Sequence, residues 1–154
     1  MENLKDQESL FYFGYASNLD EETLSSRTIS PVQLIGCARL PGYGFRFSFP
    51  NADGSARANL IKSENETVYG LLYQLASEDI AFFKESEPGY DFLQKEVYLN
   101  GVTVSAFTFM SSNNVTGIFP DKAYLDIILK GARKNNLPKA YIAMIINRSG
   151  PVLF

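Results

Sequence analysis

The pattern of apolar positions predicts short strands over the first two-thirds of the chain. Residues 10–14 are apolar almost throughout, which is typical of a buried strand. Phe45, Phe47 and Phe49 alternate with polar residues, so that segment has one apolar face. Asn100-Gly101 stands between two apolar segments and is the strongest hairpin signal in the chain. Strands are accordingly predicted over residues 10–14, 32–40, 43–49, 58–61, 67–75, 95–99 and 102–109.

Helices are predicted where caps and helical periodicity coincide. A short helix over 20–26 has an Asp cap, and a second over 77–86 begins with Ser and two acids and ends before Pro88. A longer helix that begins at Pro120 or Asp121 and ends at about Asn135 is followed by a last one over 138–146. One face of the longer helix is formed by Tyr124, Ile127, Ile128 and Gly131.

The order of these elements indicates the fold class. Pro41-Gly42 and residues 51–54 each predict a turn between strands. Six or seven strands and three or four helices, most of them late, predict an α+β fold whose largely antiparallel sheet is closed or strongly curved. A length of 154 residues fits a single domain over residues 1–154.

Charge and hydropathy limit the partners. The net charge is -3 and the pI about 5.0, which argues against nucleic acid because phosphate binding needs a concentrated basic surface. No stretch approaches the roughly 18 apolar residues of a membrane span. Residues 1–7 are polar and lack the basic start and apolar core of a signal peptide. We therefore predict a cytoplasmic protein that binds neither nucleic acid nor a membrane.

The absence of histidine narrows the available chemistry. The sequence has no His and a single cysteine, Cys37. This excludes Ser-His-Asp and Cys-His catalysis, the usual zinc sites and a disulfide framework. If the protein is an enzyme, a carboxylate, Tyr, Lys or backbone group must transfer the protons.

An abrupt strand end after Gly14 is the first candidate site. The strand runs into residues 15–18, a Tyr-Ala-Ser-Asn segment that is small and polar. Backbone N–H groups at such a junction are left unpaired and can bind a carboxylate or an oxyanion. The alternative is an ordinary turn followed by a helix cap.

Glu87 is the second candidate because of its spacing from apolar residues. Ile80, Phe83 and Glu87 follow an i, i+3, i+7 pattern, so Glu87 reaches the inward face if the helix extends that far. Glu85 does not share that face. A carboxylate on an apolar face is desolvated, which raises its pKa and makes it a better base. The alternative is a solvated surface acid, as most acids are.

Tyr124 is the third candidate. Tyr124 lies on the apolar face of the long helix, where the alternative is core packing with its hydroxyl at the surface. The aromatic residues that alternate along the strands are read as core.

Three segments in order resemble the γ-glutamylcyclotransferase family. Residues 11–19 (FYFGYASNL) are similar to its N-terminal Tyr-Gly-Ser-Asn signature. Residues 68–73 (VYGLLY), together with residues 85–89 (ESEPG), resemble the segment that carries its catalytic Glu. Residues 124–138 resemble its C-terminal helix. The resemblance extends over residues 9–146.

The resemblance implies a small mixed, largely antiparallel β-barrel with flanking helices, and a role for each matched position. Glu87 would transfer protons as the general acid and base, and Tyr124 would contact the substrate. The γ-glutamyl group would be bound by Tyr12, Phe13, Gly14, Tyr15, Ala16, Ser17 and Asn18.

The resemblance also implies a reaction. The α-amine of a γ-glutamyl amide would attack its own γ-carbonyl, releasing 5-oxoproline and a free amine or amino acid without a metal or cofactor. The departing half would lie against regions such as residues 111–119, and a homodimer is compatible with the resemblance. Two alternatives stay open: a non-catalytic module that binds a small ligand on the same fold, and an aromatic-rich barrel for single-stranded nucleic acid, against which the acidic pI counts.

Two positions depart from the family pattern. Ala16 stands where Gly is common, and Ala would cost about 1 kcal/mol if the site needs a positive φ. Pro88 follows Glu87, where Gly is common. Both departures bear on substrate preference more than on the type of reaction.

Overall fold

Five strands close into a barrel in the computed structural model of the chain, which describes residues 9–151. None of the helices within that range is long and apolar enough to cross a bilayer. The strands are β1 (Ser9–Gly14), β2 (Gln33–Pro50), β3 (Ala56–Ala76), β4 (Asp91–Leu99) and β5 (Val102–Met110). The helices are α1 (Glu21–Ser25), α2 (Ser77–Ser86), α3 (Lys122–Lys134) and α4 (Lys139–Arg148), and a single-turn 3-10 helix spans Ser17–Leu19.

The strands follow the order β1-β3-β2-β4-β5 around the barrel. Neighbouring strands are antiparallel except β1 and β5, which run parallel where Tyr12 lies opposite Phe107. The predicted hairpin between β4 and β5 is confirmed, since Asn100 and Gly101 have φ values of 51° and 79°, as a type I′ turn requires. This architecture confirms the predicted α+β fold with a small mixed barrel and flanking helices.

β2 and β3 are each one long strand where the sequence predicted two. The predicted turn at Pro41-Gly42 is wrong, because the two strands remain paired on both sides of it. Pro41 lies opposite Thr67 and Tyr43 opposite Lys62, so Gly42 and residues 63–66 bulge out of a continuous hairpin. A bulge interrupts the apolar alternation and bends the strand without ending it, which explains the overestimate of the strand count.

α2 packs against the barrel through aromatic side chains. Phe83 is fully buried, and its ring lies edge to face against those of Tyr12 and Phe109, with centroids 5.3 Å and 5.5 Å apart. These contacts join the end of β1 to the helix that precedes Glu87.

α3 lies directly on the 3-10 helix, and a glycine makes this approach possible. A Cβ atom at Gly131 would stand 2.3 Å from the carbonyl carbon of Leu19, so a larger residue would push the helix away. The Asn135 side-chain amide donates a hydrogen bond to the Leu19 carbonyl at 3.2 Å. α3 is therefore held against the segment that follows β1, and Tyr124 on its first turns faces the same region.

Candidate active site

A pocket at the end of β1 brings together most of the residues that the sequence singled out. Its wall also includes Arg57, Ala58, Tyr90 and Phe109, which sequence reasoning did not single out. The predicted residues that line it are Tyr12, Tyr15, Ala16, Ser17, Asn18, Glu87 and Tyr124.

Phe13 and Gly14 lie beside this pocket and do not form its wall. Phe13 is fully buried in the core, and its carbonyl accepts a hydrogen bond from the Thr108 hydroxyl at 2.8 Å. Gly14 pairs with Leu71 of β3. Both residues therefore anchor the strand that carries the loop.

Side-chain hydrogen bonds hold the loop after β1 in one arrangement. The Tyr15 hydroxyl donates to the Phe109 carbonyl at 2.7 Å, and the Asn18 side-chain amide donates to the Tyr12 hydroxyl at 3.0 Å. The Arg27 guanidinium, which sequence reasoning missed, donates to the Ser17 hydroxyl at 3.0 Å and to Asn18 Oδ1 at 2.8 Å. The loop is thus tied to the barrel on one side and to the segment after α1 on the other.

Ala16 does not adopt the positive φ that would favour glycine. Its φ is -126°, outside the left-handed region, so the cost anticipated for a positive φ does not arise. Ala16 accepts a hydrogen bond at its carbonyl from the Leu19 N–H at 2.9 Å, which closes the 3-10 turn. The first N–H groups of such a turn have no acceptor within it.

α2 ends at Ser86, so Glu87 is not on the helix itself. The turn that follows the helix directs the Glu87 side chain inward. This side chain is buried, with 9% of the residue exposed. The Tyr90 N–H donates to the Glu87 carbonyl at 3.3 Å, and Gly89 has a φ of 90°. Pro at the second position and a positive φ at the third are the features of a type II turn, so Pro88 fits this site without distortion.

Arg57 forms an ion pair with Glu87. The guanidinium Nη2 contacts Glu87 Oε2, and the guanidinium carbon lies 5.1 Å from the centre of the Tyr90 ring. Burial alone would lower the pKa of Arg57, but the carboxylate of Glu87 and its hydrogen bond contribute to holding that pKa above its usual value. Arg57 is therefore a permanent cation in the pocket wall.

No local pattern in the sequence marks Arg57, which lies between two alanines, Ala56 and Ala58, at the start of β3. Its partner is 30 residues away in the sequence, so no spacing rule could have paired them.

Tyr124 and Tyr90 contact the two backbone polar groups of Ala58 in β3 but use their hydroxyls differently. The Ala58 N–H donates to the Tyr124 oxygen at 3.0 Å, whereas the Tyr90 hydroxyl donates its own proton to the Ala58 carbonyl at 2.6 Å. Within residues 9–151, the hydroxyl proton of Tyr124 has no acceptor, and neither has that of Tyr12, whose oxygen accepts from Asn18.

Both free hydroxyls stay protonated. Burial raises the pKa of Tyr12; the hydrogen bond from Asn18 opposes this rise, and the Glu87 carboxylate adds to it. Burial likewise raises the pKa of Tyr124, against the hydrogen bond from Ala58. The pocket therefore combines one carboxylate with two neutral hydrogen-bond donors and one cation.

The pocket opens into a wider groove of about 540 Å³, which shares Ser17, Arg57, Glu87 and Tyr124 with it and adds Arg27 and Phe82, among others. Such a volume suits a small ligand. The expectation that residues 111–119 meet the departing half is not supported, because none of the residues lining this groove comes from that segment. Residues 114–119 line a different groove beside α4, and buried Asn59 ties the segment to the barrel by donating to the Ser111 carbonyl at 2.9 Å.

Over residues 9–151, no group of three or more Cys, Asp or Glu side chains converges so as to hold a metal ion.

Comparisons with known proteins agree on one family and one fold. A model of the AIG2-like family matches residues 67–145. The chain is 26% identical over 146 residues to gamma-glutamylcyclotransferase of Bos taurus, covering 89% of this chain and 77% of the relative. It is 27% identical over 149 residues to gamma-glutamylcyclotransferase of Homo sapiens, covering 88% and 77%. A solved structure of a gamma-glutamyl cyclotransferase superposes with a TM-score of 0.81 at 23% identity, covering 96% of this chain and 91% of that one.

Proposed function

The chain belongs to the AIG2-like family, and from that premise we propose that it is a γ-glutamylcyclotransferase-type enzyme. It releases 5-oxoproline and a free amine or amino acid from a γ-glutamyl amide. The observation that supports this most directly is the burial of Glu87 in one pocket with the loop after β1 and with Tyr124.

The reaction needs only proton transfer and orientation. The α-amine attacks the γ-carbonyl, a C–N bond forms to close the five-membered ring, and the original amide C–N bond breaks. Glu87 accepts a proton from the α-ammonium, whose usual pKa is near 8, and delivers it to the departing nitrogen. The ring nitrogen loses its second proton as the new C–N bond forms, and this proton leaves on the departing amine, which is released as an ammonium. Folding the substrate so that its amine faces its carbonyl lowers the barrier by up to about 7–11 kcal/mol.

Charge that develops on the carbonyl oxygen needs hydrogen-bond donors. We assign this role to backbone N–H groups of residues 15–18, at the start of the 3-10 helix. Losing one such donor typically lowers the rate about 100- to 1000-fold. Tyr124 contributes to substrate binding through its free hydroxyl proton.

The experiment that tests the proposal measures 5-oxoproline release from three kinds of substrate: a γ-glutamyl amino acid, a γ-glutamyl-ε-lysine and a γ-glutamyl alkylamine. Wild type and Glu87→Gln are compared side by side, with circular dichroism to confirm folding. Release by wild type and loss in Glu87→Gln support the proposal. Equal release by a folded Glu87→Gln protein contradicts the assignment of Glu87.

A module that binds a small ligand without turning it over is the second candidate. The contact between Arg57 and Glu87 favours it, because this contact occupies the carboxylate that a base must make available. Saturable binding of a γ-glutamyl amide with no product from a folded wild-type protein would support this candidate instead.

A further inference from the structure

The Arg57 side chain has hydrogen-bonding capacity that the protein itself does not use. A guanidinium carries five N–H donors, and only Nη2 donates to a carboxylate, that of Glu87. Within residues 9–151, Nε and Nη1 have no acceptor. Arg57 lines both the inner pocket and the wider groove, so these donors lie beside the space for a ligand.

The aromatic rings around Arg57 hold it in place without neutralising it. Its guanidinium carbon lies 5.1 Å from the centre of the Tyr90 ring and 6.0 Å from that of Phe49, and these two rings stack on each other at 4.4 Å. Rings attract a cation by their faces but accept no strong hydrogen bond from its edge. The edge of the guanidinium is left for an anion.

The polarity of the Arg57–Glu87 pair matches that of an α-amino acid. The α-amine and α-carboxylate of a γ-glutamyl group are attached to the same carbon atom, so the two protein groups that bind them must lie close together. Arg57 and Glu87 are in contact, and their charges are opposite to those of the two substrate groups. The guanidinium is complementary to the α-carboxylate, and the Glu87 carboxylate is complementary to the α-ammonium. A planar guanidinium also binds a carboxylate through two parallel hydrogen bonds.

We propose that Arg57 is a specificity-determining residue that binds the α-carboxylate of the γ-glutamyl group while Glu87 takes the α-amine. The inference rests on the proposed function and deepens it. When the substrate enters, the pair inside the protein is exchanged for two pairs between protein and substrate. The exchange makes Glu87 available to the amine when the amine is in place. No covalent bond is made or broken in this step.

Arg27, the other arginine of the groove, is less suited to this role. Its Nη1 already donates to the Ser17 hydroxyl and to Asn18 Oδ1, which commits the side chain to holding the loop. It does not contact Glu87, so it lacks the adjacency that one α-carbon demands.

The test compares two substrates that differ only at the α-carboxylate: γ-glutamyl ethylamide and the same molecule with an α-carboxamide. Both keep the amine and the γ-amide, so both can cyclise. kcat/KM is measured for each with wild type, Arg57→Met, Arg57→Lys and Arg46→Met. Arg46 is the matched control, because it also pairs with a glutamate on the barrel and has a similar exposure, 30% against 28% for Arg57.

The preference is the ratio of kcat/KM for the carboxylate substrate to kcat/KM for the carboxamide substrate. We expect Arg57→Met to lower this ratio about 10- to 100-fold, which is the range for hydrogen bonds to a charged group. Arg57→Lys should restore part of the preference, and Arg46→Met should keep that of wild type. Differences in the intrinsic reactivity of the two substrates cancel, because they are the same for every variant. An unchanged preference in Arg57→Met overturns the inference while the proposed function stands.

Binding measured without turnover separates the two proposals. Calorimetric titration of Glu87→Gln, with and without Arg57→Met, gives the affinity for each substrate. If wild type releases no 5-oxoproline but a preference for the carboxylate depends on Arg57, the proposed function fails and the assignment of Arg57 to the α-carboxylate holds. If neither substrate binds to folded protein, the inference fails. Where Arg57→Met does not fold, Arg57→Gln carries the same comparison.

Discussion

Two glutamates, Glu66 and Glu87, form ion pairs with arginines of the barrel, and they differ in how fully the carboxylate is hydrogen-bonded. Glu66 of β3 accepts hydrogen bonds from Arg46 at 3.0 Å and 2.7 Å and from the Ser63 hydroxyl at 2.6 Å, and Arg148 of α4 lies 3.0 Å away. Arg148 also donates to the Phe45 carbonyl at 2.6 Å. This cluster fastens α4 to the barrel.

Within residues 9–151, the carboxylate of Glu87 has a single hydrogen-bonded partner, Arg57. Glu87 is nevertheless the more buried of the two glutamates, with its side chain 11% exposed against 27% for Glu66. A buried carboxylate normally collects several donors because burial without them costs free energy. The incomplete bonding of Glu87 is therefore better explained by a ligand that completes it than by a structural role.

The largest expected effect separates the two glutamates by activity and stability. Glu87→Gln should lower kcat about 100- to 10,000-fold, the usual range for a general acid and base, with little change in the free energy of unfolding. Glu66→Gln should do the opposite: activity is retained, and the free energy of unfolding falls by about 1–2 kcal/mol. Steady-state kinetics and urea unfolding check both. A loss of activity in Glu66→Gln as large as in Glu87→Gln would erase the distinction.

The next effect concerns the hydroxyl that faces the pocket. Tyr124→Phe removes a free donor and should raise KM about tenfold with kcat within about threefold. Tyr90→Phe is the matched control, because the Tyr90 hydroxyl also bonds to the backbone of Ala58 but already donates its proton to the carbonyl there. Tyr90→Phe should lower the free energy of unfolding and should raise KM less than Tyr124→Phe does. An unchanged KM in Tyr124→Phe would return Tyr124 to packing alone.

Low pH should lower the free energy of unfolding through protonation of Glu66. Hydrogen bonds, first from Arg46, lower the pKa of Glu66 from 4.5 to about 2 in the folded protein. A folded pKa below the unfolded one stabilises the fold above about pH 4.5, and this stabilisation is lost as pH falls towards 2. The amount is about 1 kcal/mol, since solvent screens a partly exposed pair. Urea unfolding at pH 6 and pH 3 should show this loss in wild type and not in Glu66→Gln.

The smallest effect is expected at Glu85, two residues from Glu87 but exposed. Glu85→Gln should change kcat/KM by no more than about twofold, as for most surface substitutions. A loss comparable to that of Glu87→Gln would mean that the wrong carboxylate has been assigned. The same kinetic assay decides it.

The sequence by itself determined the parts of the molecule that depend on near neighbours. The Asn100-Gly101 hairpin, the end of α2 before Pro88 and the apolar face of α3 follow from turn geometry and helical periodicity, which act over a few residues. The loop after β1 and Glu87 were singled out in the same way, and the ordered resemblance of three segments identified the family.

Only the tertiary structure decided which of these parts meet. Barrel closure brings Arg57 against Glu87 and sets Tyr124 on the peptide of Ala58, and it places residues 111–119 outside the groove that the sequence had assigned to them. It also joined four predicted strands into two, because pairing across β2 and β3 resumes beyond each interruption. Contacts between distant residues depend on strand order and on the register of strands that no tight turn joins. A local turn such as Asn100-Gly101 fixes the register of its own two strands only.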